Sequence, residues 1–126
     1  MVKEKIIDQQ VINQPAGHAE NGETLEAAIV RETQEETGWL VKPEAIIGFY
    51  PFTPKGQDNT YHRVCFLCSP VKQVSNTLDT DIDEVFWLSE EAIMECPHRS
   101  PLVKKCIEDF KNGTQFPLSL FCNEYL

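Results

Sequence analysis

The feature that most constrains this chain is the segment of residues 17–38, GHAENGETLEAAIVRETQEETG. Its second half carries an arginine and three glutamates at helical spacing: Arg31, Glu32, Glu35 and Glu36. At about 3.6 residues per turn, these glutamates project from the same sector of a helix as three apolar residues of its first half: Leu25, Ala28 and Ile29. The sequence therefore predicts a helix whose acidic stripe faces the protein body or a cleft in it.

An inward-facing group of carboxylates needs a cation, because partly desolvated negative charges repel one another. A hard divalent ion is the simplest candidate. Mg2+ takes oxygen ligands, keeps several waters and is usually held by a few carboxylates together with substrate phosphates. The pattern therefore predicts a Mg2+ site on this helix, with Mn2+ as the alternative ion.

Both ends of this helix are also marked in the sequence. Thr24 can serve as its N-cap, and Gly38 stands where a left-handed C-cap would end it. Glu26 lies in the first turn, where an acidic side chain complements the helix dipole. The turn-rich residues 15–18 and 21–23 predict a short loop before the helix. We therefore expect a loop, a helix of about fourteen residues and a second loop.

The spacing of this segment resembles the Nudix box of the Nudix hydrolase superfamily. The matching positions are Gly17, Glu23, Arg31, Glu32, Glu35, Glu36 and Gly38, followed by the apolar Trp39. Fixed residues at fixed separations, on the expected loop and helix, make this a specific signal. Thr33 departs from the pattern, which usually has an aliphatic residue there, and we expect it to point to the flank of the helix. The resemblance implies the α/β Nudix fold, a mixed β-sheet between helices.

Other stretches resemble one subgroup of this superfamily, the bacterial NudJ-type phosphatases. These stretches are residues 13–18, 79–83, 86–89 and 99–103. The resemblance implies a Mg2+-dependent hydrolase that removes terminal phosphate from nucleoside tri- and diphosphates, with hydroxymethylpyrimidine diphosphate as a further substrate. Two alternatives stay open: cleavage within a nucleoside-diphosphate-X bridge, and a non-catalytic nucleotide-binding module on the same fold.

The resemblance and the acidic stripe together give each residue of the box an expected role. The expected metal ligands are Glu32, Glu35, Glu36 and the carbonyl of Gly17. The bound ions would bridge phosphate oxygens, neutralise developing charge and lower the pKa of a bound water, which is the nucleophile. We expect Arg31 to pair with Glu23 and so to orient the metal-binding carboxylates. The general base is left open among three carboxylates: Glu32, Glu84 and Asp83.

Candidate substrate contacts lie on two strand-like stretches after the box. An arginine within a strand needs an anionic partner, so Arg63 is expected to bind phosphate or a glutamate. Three aromatic residues could stack on a nucleobase, although aromatic pairs across a hairpin also belong to cores: Tyr50, Phe52 and Tyr61. His18 and His62 are interpreted as structural or surface groups.

Length and composition limit the partners of this chain. Its 126 residues fit a single domain, residues 1–126. A net charge of -9 disfavours duplex nucleic acid and anionic membranes as partners. The sequence contains no apolar run of membrane length, and its first ten residues do not resemble a signal peptide. We expect a cytoplasmic monomer or weak homodimer that binds a small nucleotide or pyrimidine diphosphate.

The remaining pattern predicts strands and helices around the box. The predicted strands are residues 3–7, 10–13, 45–52, 61–68 and 85–88. Ser89 should cap a short helix, and Ser100 should cap a last helix that begins at Pro101 and ends at Gly113. The pattern is typical of a layered α/β domain.

The resemblance also implies a strand and a hairpin turn before the strand that begins here at Val2. The absence of this strand and turn has three alternative explanations: a misassigned start codon, a true truncation whose gap another chain fills, or a crystallised fragment. We favour the first of these.

Overall fold

The computed structural model describes residues 1–6, 9–14, 17–75 and 82–126, with the backbone alone at 3–6, 9–13 and 83. In chain order the elements are β1 (Val2–Ile6), β2 (Gln9–Asn13), α1 (Leu25–Thr37), β3 (Trp39–Phe52), β4 (Tyr61–Gln73), β5 (Ile82–Val85), α2 (Glu90–Glu95), α3 (Leu102–Lys111) and a 3-10 turn (Leu118–Leu120). Residues 15 and 16 of the loop before α1, and residues 79–81 of the subgroup resemblance, lie outside the described residues.

The strands form two antiparallel units. One is a three-stranded sheet in the order β2-β1-β5, in which Val2 pairs with Asn13 on one side and with Val85 on the other. The other is the long hairpin of β3 and β4, paired from Trp39 opposite Gln73 to Phe52 opposite Tyr61. The rings of Trp39 and Trp87 meet edge to face at 5.3 Å and so connect the hairpin with the end of β5. The expected mixed fold of helices and strands is confirmed.

Helix α1 has the ends that the sequence predicts. The Thr24 hydroxyl accepts a hydrogen bond from the Ala27 backbone N–H at 3.0 Å. At the other end, Gly38 is left-handed, with φ 75°, and its N–H donates to the Gln34 carbonyl. The Gly38 carbonyl in turn accepts from the N–H groups of Val74 and Ser75. This glycine therefore joins the end of α1 to the end of β4.

The core lies where α1 and α3 pack against β3. The buried apolar residues are Val2, Ala28, Ala45, Ile46, Ile47, Ile82, Ile93, Val103 and Cys106. Ile93 and Val103 form a cluster between α2 and α3, and Leu88 packs against it at the start of α2. In the described part of the chain, no helix combines the length and the apolarity needed to span a membrane.

The expectation that Thr33 points to the flank of α1 is wrong. Thr33 is buried, together with Ala28, Glu36 and Thr37 of the same helix. The buried residues of α1 therefore differ from the predicted stripe, since Leu25 is exposed and Thr33 is buried. The Thr33 carbonyl also accepts a hydrogen bond from the Thr37 hydroxyl.

Three strands differ from the prediction by three or more residues at a boundary. β3 begins at Trp39 and β4 continues to Gln73, because hairpin pairing extends through polar and proline-containing stretches that carry little strand signal. The last strand covers Ile82–Val85 rather than residues 85–88. Trp87 of the predicted strand leaves the sheet and is exposed.

Gly38→Ala is expected to destabilise the fold by about 3 kcal/mol, because it adds backbone strain to a steric clash. An added Cβ at Gly38 would overlap the carbonyl oxygen of Ser75, a residue whose N–H donates to the Gly38 carbonyl. Gly56→Ala is the matched control, since Gly56 also has a positive φ but open space around it. Urea unfolding should give a loss of about 1 kcal/mol for the control. Equal losses for both variants would show that the contact with Ser75 does not matter.

Candidate active site

Arg31 is the centre of the hydrogen-bond network that joins the loop before α1 to the helix itself. Its Nε and Nη2 atoms donate to the two carboxylate oxygens of Glu23, at 2.9 and 3.0 Å. Nη2 also donates to the His18 carbonyl at 2.9 Å. Nη1 donates to Glu32 at 2.8 Å and to Glu35 at 3.2 Å. The predicted pairing of Arg31 with Glu23 is confirmed, and it is bidentate.

The electrostatics of the Arg31–Glu23 pair follow from this geometry. The hydrogen bonds from Arg31, and then that from the Glu20 backbone N–H, lower the pKa of Glu23 to about 2. The same contacts with Glu23 and Glu32 raise the pKa of Arg31. The pair is therefore ionised at neutral pH, and it fixes the loop on α1.

The carboxylates around Arg31 carry more negative charge than its single positive charge can neutralise. Glu23, Glu32 and Glu35 all accept hydrogen bonds from one guanidinium, so two negative charges stay uncompensated within the network. Glu36, the third glutamate of the predicted stripe, is buried, with 8% of its surface exposed. Glu32 is largely covered and Glu35 is about half exposed. The acidic stripe thus faces the protein at Glu32 and Glu36 and reaches solvent at Glu35.

Gly17 lies against the carboxyl group of Glu32. A Cβ atom at position 17 would overlap Cδ and Oε2 of Glu32, so only a glycine permits this approach. The backbone of the loop and one of the predicted metal ligands are therefore neighbours. From the sequence, only the resemblance to the Nudix box predicted that Gly17 and Glu32 lie close together.

The donor set around α1 fits a hard divalent ion by its chemistry. All candidate donors are carboxylate or carbonyl oxygens, which Mg2+ and Mn2+ prefer, and two uncompensated charges match a doubly charged ion. Among the side chains that the structure describes, no three acidic, histidine or cysteine side chains converge at ligand spacing. Glu32 and Glu35 each accept a hydrogen bond from Arg31 through one carboxylate oxygen, which leaves the second oxygen of each group as a candidate ligand.

A second cluster of predicted residues lies at the turn end of the β3–β4 hairpin. Phe52 pairs with Tyr61, and the Arg63 guanidinium lies 5.9 Å from the Phe52 ring centre and 5.8 Å from that of Tyr61. The Tyr61 ring also lies 6.2 Å from the ring of His18. We call Phe52, Tyr61 and Arg63 the Arg63 cluster. His18 joins it to the Arg31 network, because the His18 carbonyl belongs to that network.

Tyr50, the other aromatic candidate, is held differently. It pairs with Arg63 across the hairpin, but its hydroxyl donates to Oδ2 of Asp109 on α3 at 2.7 Å. Burial, and then this bond to a carboxylate, raise the pKa of Tyr50. Lys105 donates to the other oxygen of Asp109 at 2.9 Å. The structure therefore attaches the Tyr50 hydroxyl to α3, while a substrate contact of its ring stays a prediction.

The candidates for general base occupy two different elements. Glu32 belongs to α1 and lies at the Arg31 network. Glu84 is an exposed residue of β5, in the three-stranded sheet. Asp83 belongs to the same strand, and its side chain lies outside the described residues. The choice among these carboxylates stays a prediction.

His18 is the residue that sequence reasoning underestimated. It follows Gly17 directly, and its backbone and side chain contact different parts of the site: the carbonyl binds Arg31 and the ring meets Tyr61. The adjacency to Gly17 was the only local signal available. Contact with Tyr61 depends on how the hairpin folds over the loop, which residue spacing does not encode.

Comparison with known proteins decides the family. The model of the NUDIX domain matches residues 1–110. The chain belongs to the Nudix family.

The relatives agree with this assignment. Phosphatase NudJ of Escherichia coli strain K12 is 35% identical over 123 residues, which is 95% of this chain and 79% of the relative. Phosphatase NudJ of Shigella flexneri matches to the same extent. A solved NUDIX hydrolase from Nitrosomonas europaea superimposes with a TM-score of 0.90 at 36% identity, covering 98% of this chain and 87% of that one. This protein is therefore a Nudix hydrolase, an enzyme of a family that generally uses divalent metal ions.

Glu23→Gln is expected to lower the melting temperature at neutral pH, and this difference from wild type should disappear in acid. The folded pKa of Glu23 is about 2 and its ordinary value is 4.5. A lowered pKa contributes stability that is fully present above the ordinary value and is lost as the pH falls toward the folded value. Thermal unfolding should therefore show a constant gap between wild type and variant at pH 5 to 7, roughly, and a shrinking gap below that range.

Glu20→Gln is the control for this prediction, since the Glu20 carboxylate is mostly exposed and lies 3.8 Å from Arg31. Its melting temperature should follow that of wild type at each pH. A gap for Glu23→Gln that is as large at pH 3 as at pH 7, roughly, contradicts the assigned pairing of charges.

Proposed function

We propose that this chain is a Mg2+-dependent phosphohydrolase that removes the terminal phosphate of nucleoside tri- and diphosphates, with hydroxymethylpyrimidine diphosphate as a further substrate. The observation that carries this proposal is the Arg31 network, in which three carboxylates share one guanidinium beside the buried Glu36. The phosphatase relatives support the reaction class. Mn2+ is the alternative ion.

The metal ion is proposed to bind at the acidic face of α1. Its ligands are Glu32, Glu35, Glu36 and the carbonyl of Gly17. When bound, the ion neutralises charge on the phosphate oxygens and lowers the pKa of a water. Arg31 and Glu23 then act as positioning residues, because they hold the loop that carries Gly17 against the helix that carries the glutamates. One carboxylate accepts the proton of the attacking water, and we assign this role to Glu32, with Glu84 and Asp83 as alternatives.

The rest of the substrate is assigned to the hairpin. Arg63, with its cationic guanidinium, is proposed to meet phosphate, and Phe52, Tyr61 and Tyr50 are proposed to contact the organic part. The net charge of -9 supports a small molecule rather than nucleic acid or an anionic membrane as partner. We further propose that the enzyme acts in the cytoplasm as a monomer or weak homodimer.

The deciding experiment measures products from a panel of nucleoside tri- and diphosphates and hydroxymethylpyrimidine diphosphate with Mg2+, with Mn2+ and with EDTA. Orthophosphate and a shortened nucleotide are expected with either ion, and EDTA should abolish both. Two monophosphates from a nucleotide sugar or dinucleotide would instead support cleavage within a diphosphate bridge. No release from any substrate would favour a nucleotide-binding module.

Glu36→Gln is expected to lower kcat by orders of magnitude while the protein keeps its fold, because one buried carboxylate ligand is lost without loss of volume. Glu44→Gln, an exposed glutamate of β3, is the matched control and should retain wild-type turnover. Circular dichroism should give superimposable spectra for both variants. If hydrolysis survives in Glu36→Gln, the metal assignment is wrong.

Gly17→Ala is expected to reduce turnover and to raise the Mg2+ concentration for half-maximal activity, each by about 10-fold. The reason is that the new methyl group displaces the Glu32 carboxylate. Gly22→Ala in the same loop meets open space, so it should leave the Mg2+ dependence unchanged. Identical Mg2+ titrations of Gly17→Ala and wild type would remove Glu32 and Gly17 from the proposed ligand set.

A further inference from the structure

Two of the five cysteines of this chain meet where the β3–β4 hairpin packs against α3. Cys65 belongs to β4 and is partly exposed. Cys106 belongs to α3 and is buried, with 5% of its surface exposed. Their thiol groups lie in hydrogen-bond contact, although the two residues are far apart in the sequence. The interface between hairpin and helix therefore contains a pair of adjacent thiols.

The Tyr50 hydroxyl gives a second, independent observation of this placement. A Cβ atom at Gly48 would overlap that hydroxyl, so the Tyr50 side chain lies over Gly48. Gly48 pairs with Cys65 across the hairpin. The same hydroxyl donates to Asp109 at 2.7 Å, and Asp109 follows Cys106 by three positions, on the same face of α3. The hydrogen bond from hairpin to helix thus brings Cys65 and Cys106 to the same place.

The contact between the thiols gives them different acidities. The hydrogen bond with Cys65 lowers the pKa of Cys106. The same bond, and then burial, raise the pKa of Cys65. Cys106 therefore loses its proton first, and Cys65 keeps a proton beside it. Since the thiolate is the reactive form of cysteine, Cys106 is the nucleophile of the pair.

Cys68 shows that sequence proximity does not produce such a pair. It lies three positions after Cys65 on β4, so its side chain projects from the opposite face of the strand. Burial, and then the charge of Glu44, raise the pKa of Cys68 to about 11. Cys68 is therefore a thiol of low reactivity, and it offers a matched control for Cys65.

We propose that Cys65 and Cys106 form a dithiol oxidation site, which a peroxide converts into a disulfide that links β4 to α3. This inference goes beyond the proposed function and does not depend on it. Hydrogen peroxide fits the site because it is small, whereas Cys106 is too well covered for a bulky oxidant such as glutathione disulfide. The adjacent thiol stops the oxidation at the disulfide, since it captures the first product before further oxygen is added.

The reaction has two steps. In the first, the Cys106 thiolate attacks one peroxide oxygen, so that an S–O bond forms and the O–O bond breaks. The hydroxide that leaves takes the proton of Cys65 and becomes water. In the second, the Cys65 thiolate attacks the sulfur of the Cys106 sulfenic acid, so that the S–S bond forms and the S–O bond breaks. The second hydroxide takes a proton from solvent. The two sulfurs together lose two electrons, and the peroxide gains them.

The test exposes the reduced protein to hydrogen peroxide, unfolds it in an alkylating reagent and maps its tryptic peptides by mass. Wild type should yield residues 64–72 joined to residues 106–111, and a dithiol reductant should separate them again. Chymotryptic cleavage after Phe66 then separates Cys65 from Cys68. This step assigns the bond in wild type without any variant.

Serine variants repeat the assignment. Cys65→Ser and Cys106→Ser should each abolish the linked peptides, whereas Cys68→Ser, the matched control in the same tryptic peptide, should retain them. In wild type, the disulfide should form at least about 10-fold faster than the exposed Cys122 is oxidised. The reason is that Cys106 reacts as a thiolate with a second thiol beside it.

Thermal unfolding provides a second readout. A disulfide between distant positions restricts the unfolded chain, so oxidation should raise the melting temperature of wild type by about 5 °C or more. Reduction should reverse this rise. Cys65→Ser should show no rise with peroxide, and Cys68→Ser should behave as wild type does.

Four outcomes would overturn the assignment. Sulfinic or sulfonic acid at Cys106 in place of the linked peptides would show that Cys65 does not reach its sulfur. Linked peptides that persist in Cys65→Ser and disappear in Cys68→Ser would assign the bond to Cys68. Oxidation of Cys122 at an equal rate would show that the contact does not activate the pair. A lower melting temperature after disulfide formation would show that the thiols must leave their native positions to bond.

Discussion

The guanidinium of Arg31 is the interaction on which the candidate site depends. Its two bonds to Glu23 and its bond to the His18 carbonyl fix the loop, and its bonds to Glu32 and Glu35 fix the acidic face of α1. Without this cation, the polar loop and the carboxylate-rich helix would lose the hydrogen bonds and ion pairs that hold them together. Bidentate, charge-assisted bonds give both strength and direction. The same contacts leave negative charge in excess, which is the condition for binding a divalent ion.

The parts of the fold that the sequence predicted correctly are local. The caps of α1 at Thr24 and Gly38 depend on residues within one helical turn of each end, so their pattern is visible in the chain. The pairing of Arg31 with Glu23 spans eight positions, but the box supplies that spacing. The family, too, follows from this short segment, because its fixed residues carry most of the chemistry.

The parts that the sequence did not predict depend on contacts between distant elements. The bond of Tyr50 to Asp109 spans 59 positions and needs α3 to lie against β3. The burial of Thr33 depends on how far α1 rotates on that strand, and a helical wheel cannot fix a rotation of this size. The start of β3 at Trp39 has the same origin, since pairing with Gln73 extends the strand beyond its apolar stretch. Tertiary context decides each of these outcomes.

The two arginines of the candidate site differ in what surrounds their guanidinium groups. Arg31 is saturated by the carboxylates of the protein and serves as a structural cation, so it has little charge left to attract phosphate. Arg63 is supported by aromatic rings, which position a guanidinium without neutralising it. Replacing those rings with carboxylates would hold the side chain as firmly but would cancel its field. Under the proposed function, the carboxylates make Arg31 the cation that holds the site together, and the uncharged rings leave the charge of Arg63 to attract the substrate.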